Sequence, residues 1–390
     1  MRSALLVVLA VIMGGCDRPV AEFAAGESCA GQGFKITDDF PGARRGTCVV
    51  YESGKAEINI HPEDSGEINN SPWYAVRIES TEPSSLRLKI RYHGGDHRYL
   101  PKLSRDGTNW QPIDDRDFSA AWFGGSATLD LQLDGQPLWV AGQELILPAV
   151  NDAWVSDISN GTVFAESELG KSAEGRSIRI LDSASESKEV VLMVGRQHPP
   201  EVTGAIAYYA FFEAISGDTE LATTFRDRFR VISVPMMNPD GVSLGHWRHN
   251  TGGMDLNRDW GPFSQPETQL IRDLLQGLDE EGVAVRLFID FHSTKRNLMY
   301  TQMPEDVTDP PGFAPEWIEA ATARLPGFEF TEEPRPFSDL PTSRNYMYSR
   351  YGIPSVTFEL ADEENREAIR KAAAVFAEEF MRLALERVAT

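Results

Sequence analysis

His198-Pro199-Pro200-Glu201 sets an imidazole and a carboxylate three positions apart, and a second imidazole, His292, follows 91 residues after Glu201. Two imidazoles and one carboxylate are the ligand set of a catalytic zinc site that leaves one position open for water. A His-x-x-Glu pair alone is a weak signal in a chain of 390 residues, so its setting carries the weight. The β-favouring run Glu189-Val190-Val191-Leu192-Met193-Val194-Gly195 leads into His198, and an apolar helical segment, Ala205 to Ile215, leads away. His292 closes a second apolar run, Leu287-Phe288-Ile289-Asp290-Phe291-His292. Open α/β sheets place their sites at the carboxyl ends of such strands.

Further polar groups follow in order. Asn238-Pro239-Asp240-Gly241 reads as a turn after a strand that ends at Val234. Then come Arg248-His249-Asn250-Thr251-Gly252-Gly253-Met254-Asp255-Leu256-Asn257-Arg258-Asp259-Trp260, Asp290-Phe291-His292-Ser293 and Thr357-Phe358-Glu359-Leu360. A glutamate inside an apolar strand is a poor surface residue and an expensive core one, so chemistry explains Glu359 more cheaply than packing does. Asp290 reads equally as a carboxylate orienting a ligand or as a hydrogen-bonding core residue. His61, His93, His97, His246 and His249 fall in no motif.

Two kinds of segment must position these residues. From residue 151 to 390, strand-like runs (Ser177 to Leu181, Val190 to Val194, Arg230 to Val234, Val285 to Phe291, Ser355 to Leu360) alternate with helix-like ones. The helical runs are Ala205 to Ile215, Gln265 to Leu278, Pro315 to Leu325, Tyr346 to Tyr351 and Glu363 to Val388. This alternation predicts an α/β domain on a mixed, mostly parallel sheet flanked by helices. Residues 32–150 instead read as short strands separated by turns at Gly94-Gly95, Asp106-Gly107 and Asp134-Gly135, which predicts an antiparallel β-sandwich.

Arg2 precedes the apolar stretch Ala4 to Met13, which is too short to span a bilayer and has signal-peptide proportions. Ile12-Met13-Gly14-Gly15-Cys16 resembles a bacterial lipobox, so residues 1–15 are expected to be a lipoprotein signal and Cys16 its lipidated residue. The expectation is an exported, membrane-anchored chain at the periplasmic face of the envelope. The Ala/Gly/Glu-rich residues 16–31 are expected to be a tether. Cys29 and Cys48, the remaining cysteines, are expected to pair in an oxidising compartment. A net charge of −22 argues against a nucleic-acid-binding surface.

With the zinc pair, the block from Asn-Pro-Asp-Gly to Asp-Leu-Asn-Arg, the third ligand and the Thr-Phe-Glu strand in this order, the chain resembles the zinc carboxypeptidases, from an entry segment at Gly170-Lys171-Ser172-Ala173-Glu174-Gly175-Arg176 to about Leu360. The β-rich first part, with Ser71-Pro72-Trp73-Tyr74-Ala75-Val76-Arg77, is similar to the amino-terminal domain of the cytosolic, deglutamylase-like branch. The resemblance implies zinc held by His198, Glu201 and His292, Glu359 as general base and acid, and Arg248 as the cation for the developing oxyanion. It implies that Asn257 and Arg258 bind the free terminal carboxylate of a peptide, and that Asp255 orients His198.

Two positions bear on how far this carries. A tyrosine that many members place about 22 residues before the glutamate, covering the substrate, is here Phe337. The residue about 15 positions before the glutamate, at the pocket floor, is Arg344, with Asn345 as its competitor in register. A cation there predicts preference for an acidic departing residue. The expected activity is hydrolysis of the C-terminal peptide bond. The alternatives are a peptidoglycan stem-peptide or γ-glutamyl amidase, and a catalytically degenerate envelope-binding protein.

Overall fold

The computed structural model describes residues 17–66 and 69–387, so Cys16 and the expected signal segment lie outside the described residues. The first part holds strands β1 (Pro19–Phe23), β2 (Cys29–Gly31), β3 (Phe34–Thr37), β4 (Thr47–Tyr51), β5 (Ala56–Ile60) and β6 (Ala75–Ser80). It continues with β7 (Pro83–Tyr92), β8 (Lys102–Ser104), β9 (Trp110–Pro112), β10 (Phe118–Ala120), β11 (Ser126–Asp134) and β12 (Leu138–Ala141). They form two six-stranded sheets, ordered β1-β4-β5-β7-β11-β10 and β2-β3-β6-β12-β8-β9. Only the β5–β7 pair among them is parallel. Strand β7 shows why a sandwich forms: Leu86, Leu88 and Ile90 point into the core while Arg87, Lys89 and Arg91 alternate outward. A Cys29–Cys48 disulfide joins β2 of one sheet to β4 of the other.

The expected tether at residues 16–31 is corrected here. Strand β1 pairs with β4, β2 pairs with β3, and Cys29 is buried. Ala21 and Phe23 alternate onto the core beneath a composition that looks linker-like, and that alternation decides the outcome.

The second part is built on an eight-stranded mixed sheet. Its strands are β13 (Ala165–Lys171), β14 (Ser177–Asp182), β15 (Glu189–Gly195), β16 (Arg230–Val234), β17 (Ala284–Thr294), β18 (Leu298–Thr301), β19 (Thr331–Pro334) and β20 (Ser355–Ala361). Their spatial order is β13-β14-β16-β15-β17-β20-β18-β19, with β16, β15, β17 and β20 mutually parallel. The helices are α1 (Pro148–Gly161), α2 (Val202–Ser216), α3 (Glu220–Arg228), α4 (Pro239–Leu244), α5 (Pro266–Glu280), α6 (Phe313–Ala323), α7 (Ser343–Tyr351) and α8 (Arg366–Arg387). The central strands are covered on both faces and therefore read as continuous apolar runs. In β15, Val191 and Met193 join the core under α2, α6 and α8, while Val190, Leu192 and Val194 face α5 and α7.

Helices α1, α3 and α4 and strands β13, β18 and β19 were not expected from the sequence. Helix α1 starts at Pro148, so the boundary expected at residue 150 falls inside it. The Asn-Pro-Asp-Gly turn is the start of α4: Asn238 caps it by accepting a hydrogen bond from the Gly241 N–H at 2.9 Å.

The sandwich and the α/β part share one apolar core, into which Trp247 is fully buried beside Trp73 and Tyr74. Polar ties cross the same boundary. Arg98 pairs with Asp362 at 2.7 Å, Lys102 with Glu363 at 2.7 Å, and Arg366 with Glu144 at 2.7 Å.

Helix α2 opens directly behind β17, and Gly204 is what allows this approach. A Cβ there would lie 2.5 Å from the His292 carbonyl oxygen and 3.0 Å from its Cα. Gly204→Ala is therefore expected to destabilise the chain by roughly 1–3 kcal/mol, despite alanine's better helix propensity. A urea unfolding curve with an unchanged or raised midpoint would contradict this.

Candidate active site

Parallel pairing brings the chemistry to one edge of the sheet. The chain leaves β15 at Gly195, turns through Arg196 to Pro200 and enters α2, which puts His198 and Glu201 at the strand's carboxyl end. His292 lies near the end of β17 and is paired in register with Glu359 on β20. The three expected metal ligands are all buried.

Their orientation is specific. His198 Nδ1 lies 2.8 Å from Glu201 Oε1, and His292 Nδ1 lies 2.7 Å from Glu201 Oε2. The two Nδ1 atoms are 3.1 Å apart. Each ring's far side meets a carboxylate: His198 Nε2 lies 2.9 Å from Asp255 Oδ1, and His292 Nε2 lies 2.8 Å from Asp290 Oδ2. Asp255 and Asp290 face the Nε2 atoms and favour a proton there, which leaves Nδ1 as the atom each ring can offer to a metal. Both Nδ1 atoms and the Glu201 carboxylate converge on one point, and against the effect of burial Asp290 and Glu201 raise the proton affinity of His292, so the cluster attracts positive charge. This donor set fits a divalent cation, and two nitrogens with one oxygen are the ligands zinc favours in catalytic sites.

Asp290 thus faces His292 as Asp255 faces His198, which favours the orienting reading of the two left open for it. Its Oδ2 also accepts from Gln197 Nε2 at 2.6 Å, tying the His198 turn to the His292 strand. Burial would raise Asp255, but His198 and Arg248 hold its carboxyl well below the usual carboxylate range. Burial likewise opposes ionisation of Glu201, and the two histidines outweigh it. Glu359 is different. Burial, reinforced by the nearby Glu201 charge, pushes its carboxyl up to about 8 against the pull of His292 and Arg98, and its Oε2 has no hydrogen-bond partner among the described residues.

The ligands form the floor of a pocket of about 530 Å³. Glu359, Arg248, Asn257, Arg258, Arg344 and Asn345 all line it, so the structure brings the expected site residues together. Arg248 donates from Nε to Asp255 Oδ2 at 2.7 Å. Asn257 accepts from the Ser343 N–H at 2.9 Å, which fixes its amide with the NH2 group toward His292. Arg258 donates to its neighbour's carbonyl, Asn257 O, at 2.7 Å. Arg344 is buried, donates to Thr301 O at 2.8 Å and Arg335 O at 3.2 Å, and has no carboxylate within 4 Å among the described residues. Burial lowers its affinity for a proton.

Phe337 lies in the loop between β19 and α7, is 46% exposed and meets Tyr348 edge to face, with 6.1 Å between ring centroids. Its neighbours Pro336 and Ser338 line the pocket, as does Tyr300 from β18. Tyr300, Arg335 and Arg98 are pocket residues that sequence reasoning missed. Arg335 adjoins the Phe337 register and was within reach of that count. Arg98 sits in a sandwich turn with no motif around it. It donates to Asp362 Oδ2 and Oδ1, Ser71 Oγ, Asn70 O and Ser293 O at 2.7 to 3.2 Å, which uses all five of its N–H groups. It therefore ties the sandwich to the ends of β17 and β20 and has no donor left for a ligand.

Residues 159–381 match the family model described as zinc carboxypeptidase. Among curated proteins the chain is 29% identical to mouse (Mus musculus) cytosolic carboxypeptidase 6 over 161 residues, which are 38% of this chain and 30% of that protein. It is 31% identical to an uncharacterised protein of Zymomonas mobilis over 247 residues, 61% of this chain and 63% of that one. The chain thus spans about a third of the length of the mouse relative. In fold it is similar to a metallo-carboxypeptidase from Burkholderia cenocepacia, at TM-score 0.73 and 20% identity, over 92% of this chain and 99% of that one. A Pseudomonas aeruginosa metallo-carboxypeptidase in complex with (2-guanidinoethylmercapto)succinic acid aligns at TM-score 0.70 and 18% identity, over 90% of this chain and 99% of that one. The sandwich and the α/β part are therefore shared as one architecture.

The role of Asp290 is open to direct test. Asp290→Asn turns an acceptor toward His292 into an amide and is expected to weaken zinc binding by about 10–100-fold. Competition against a chromophoric chelator measures this, and parental affinity in the variant would contradict the assignment.

Proposed function

As the chain belongs to the zinc carboxypeptidase family, we propose that it is a metallocarboxypeptidase that removes the last residue of peptides. The observation that carries this reading is the joint placement of the convergent His198–Glu201–His292 donors, Glu359 one strand away, and an arginine- and amide-lined pocket above them.

Zinc bound by these three side chains would polarise the scissile carbonyl and acidify a water. The protein's own groups do the rest. Glu359, with its uncommitted carboxylate oxygen, takes the water's proton and returns it to the leaving amine. Burial holds the Glu359 carboxyl above the usual carboxylate range, which strengthens its hold on a proton taken from the water. Arg248, fixed by Asp255, supplies positive charge where the carbonyl oxygen becomes an oxyanion. Asn257 and Arg258 bind the terminal carboxylate, and requiring that group makes the enzyme an exopeptidase.

Arg344 sets the preference for the departing residue. It is a buried cation on the pocket wall whose protein partners are carbonyl and amide oxygens, and a buried charge left without an opposite charge is costly. An aspartate or glutamate side chain on the substrate supplies that opposite charge. Arg258, which also lines the pocket, adds positive charge there, whereas Arg98, Arg248 and Arg335 are each paired with a carboxylate. We further propose that the chain is exported and anchored through Cys16. The Cys29–Cys48 disulfide supports an oxidising compartment. Among the described residues no helix is long and apolar enough to cross a membrane.

A panel of blocked dipeptides differing in the last residue tests the reading. Release of terminal Glu and Asp is expected, with Glu359→Gln lowering kcat by at least about 10²-fold. Arg344→Ala is expected to cut the acidic preference by about tenfold or more while sparing release of neutral residues. Parental turnover by Glu359→Gln would overturn the catalytic assignment. Activity confined to cell-wall stem peptides would favour the amidase reading.

A further inference from the structure

The loop that carries Arg248 is held from outside the α/β part. After α4 the chain reverses at Gly245, whose φ of +63° is a left-handed conformation that glycine adopts without steric cost. The next turn then points three successive backbone N–H groups, those of Trp247, Arg248 and His249, the same way. Such a run of amides is an anion-binding concavity. Here the anion is a side chain of the sandwich: Glu63 accepts all three, with Oε2 at 2.7 Å from Trp247 N and Oε1 at 2.8 and 2.5 Å from Arg248 N and His249 N.

The surroundings reinforce this grip. Asp64 Oδ2 lies 2.8 Å from His249 Nδ1, and Trp247 donates from its indole to Trp73 O at 3.1 Å. The residues on either side of Arg248 are thus fixed to the sandwich, while the Arg248 side chain alone turns toward the pocket. There it meets Asp255, which also holds His198.

We propose that Glu63 is a positioning residue for Arg248, so that the sandwich sets the geometry of the oxyanion-stabilising cation. The proposal rests on the catalytic reading of Arg248 given above. Glu63 touches no reacting atom; its carboxylate fixes where the Arg248 backbone starts, and the side chain reaches the pocket from there. Glu63→Gln keeps the shape but loses the charge, and its amide NH2 then opposes one of the loop's own N–H donors.

A double-mutant cycle with a blocked dipeptide tests this. Glu63→Gln is expected to lower kcat by about tenfold with KM within about twofold, as loss of an interaction made in the transition state does. Arg248→Ala should lower kcat further, by about 10²–10³-fold. The double variant should be no slower than Arg248→Ala alone, because Glu63 acts through Arg248. Losses that multiply would mean a general structural role and overturn the proposal. Glu63→Asp, one methylene short but still charged, should fall between parent and Glu63→Gln. Hydrogen exchange of the 247–249 amides gives a readout independent of turnover. It should quicken in Glu63→Gln, and unchanged protection would overturn the clamp. An Arg248→Ala enzyme with parental kcat removes the underlying reading and this proposal together. An impaired Arg248→Ala beside a parental Glu63→Gln removes this proposal alone.

Discussion

The Nδ1 atoms of His198 and His292 lie 3.1 Å apart with a Glu201 oxygen against each, an arrangement that requires positive charge among these atoms, as protons or as a bound divalent cation. The rest of the site follows from that constraint. Asp255 and Asp290 exist behind the rings to keep both Nδ1 atoms turned inward, and each is itself tied into the fold. The parallel register of β15, β17 and β20 then delivers the ligands and Glu359 to the same sheet edge. Gly204 permits the helix that follows Glu201 to press against the strand that carries His292.

The sandwich is a structural part of this arrangement. Arg98 joins the ends of the two strands that carry His292 and Glu359, and spends every donor on protein oxygens in doing so. Glu63 holds the Arg248 loop, and Trp247 fills an apolar core common to both parts. Both parts also recur together in the fold of the Burkholderia cenocepacia structure.

Much of the α/β fold was legible because its strands are buried on both faces and stand out as apolar runs, as β15 and β17 do. The ligands, Glu359, Arg248, Asn257 and Arg258 were legible because each lies in a motif with fixed spacing. What the sequence hid was of two kinds. Short or polar elements such as α4 and the strands at residues 19–23 and 29–31 carry too few periodic positions to overcome their composition. Contacts made across the sandwich boundary, those of Arg98 and Glu63, join residues more than 180 positions apart, and no local pattern encodes them. Asp290 lay between the two cases. Its place beside His292 was visible, but only the geometry shows that its Oδ2 faces His292 Nε2.

In the proposed reading, a bound metal and a pocket that reads a free terminal carboxylate together make the chain an exopeptidase. The most direct test compares one peptide ending in glutamate with its C-terminal amide, using protein stripped by a chelator and then reloaded with one equivalent of zinc. Reloaded protein is expected to release only the last residue of the free acid, and the amide and the stripped protein are expected to give no product. Equal cleavage of the amide, or undiminished turnover after stripping, would contradict this reading.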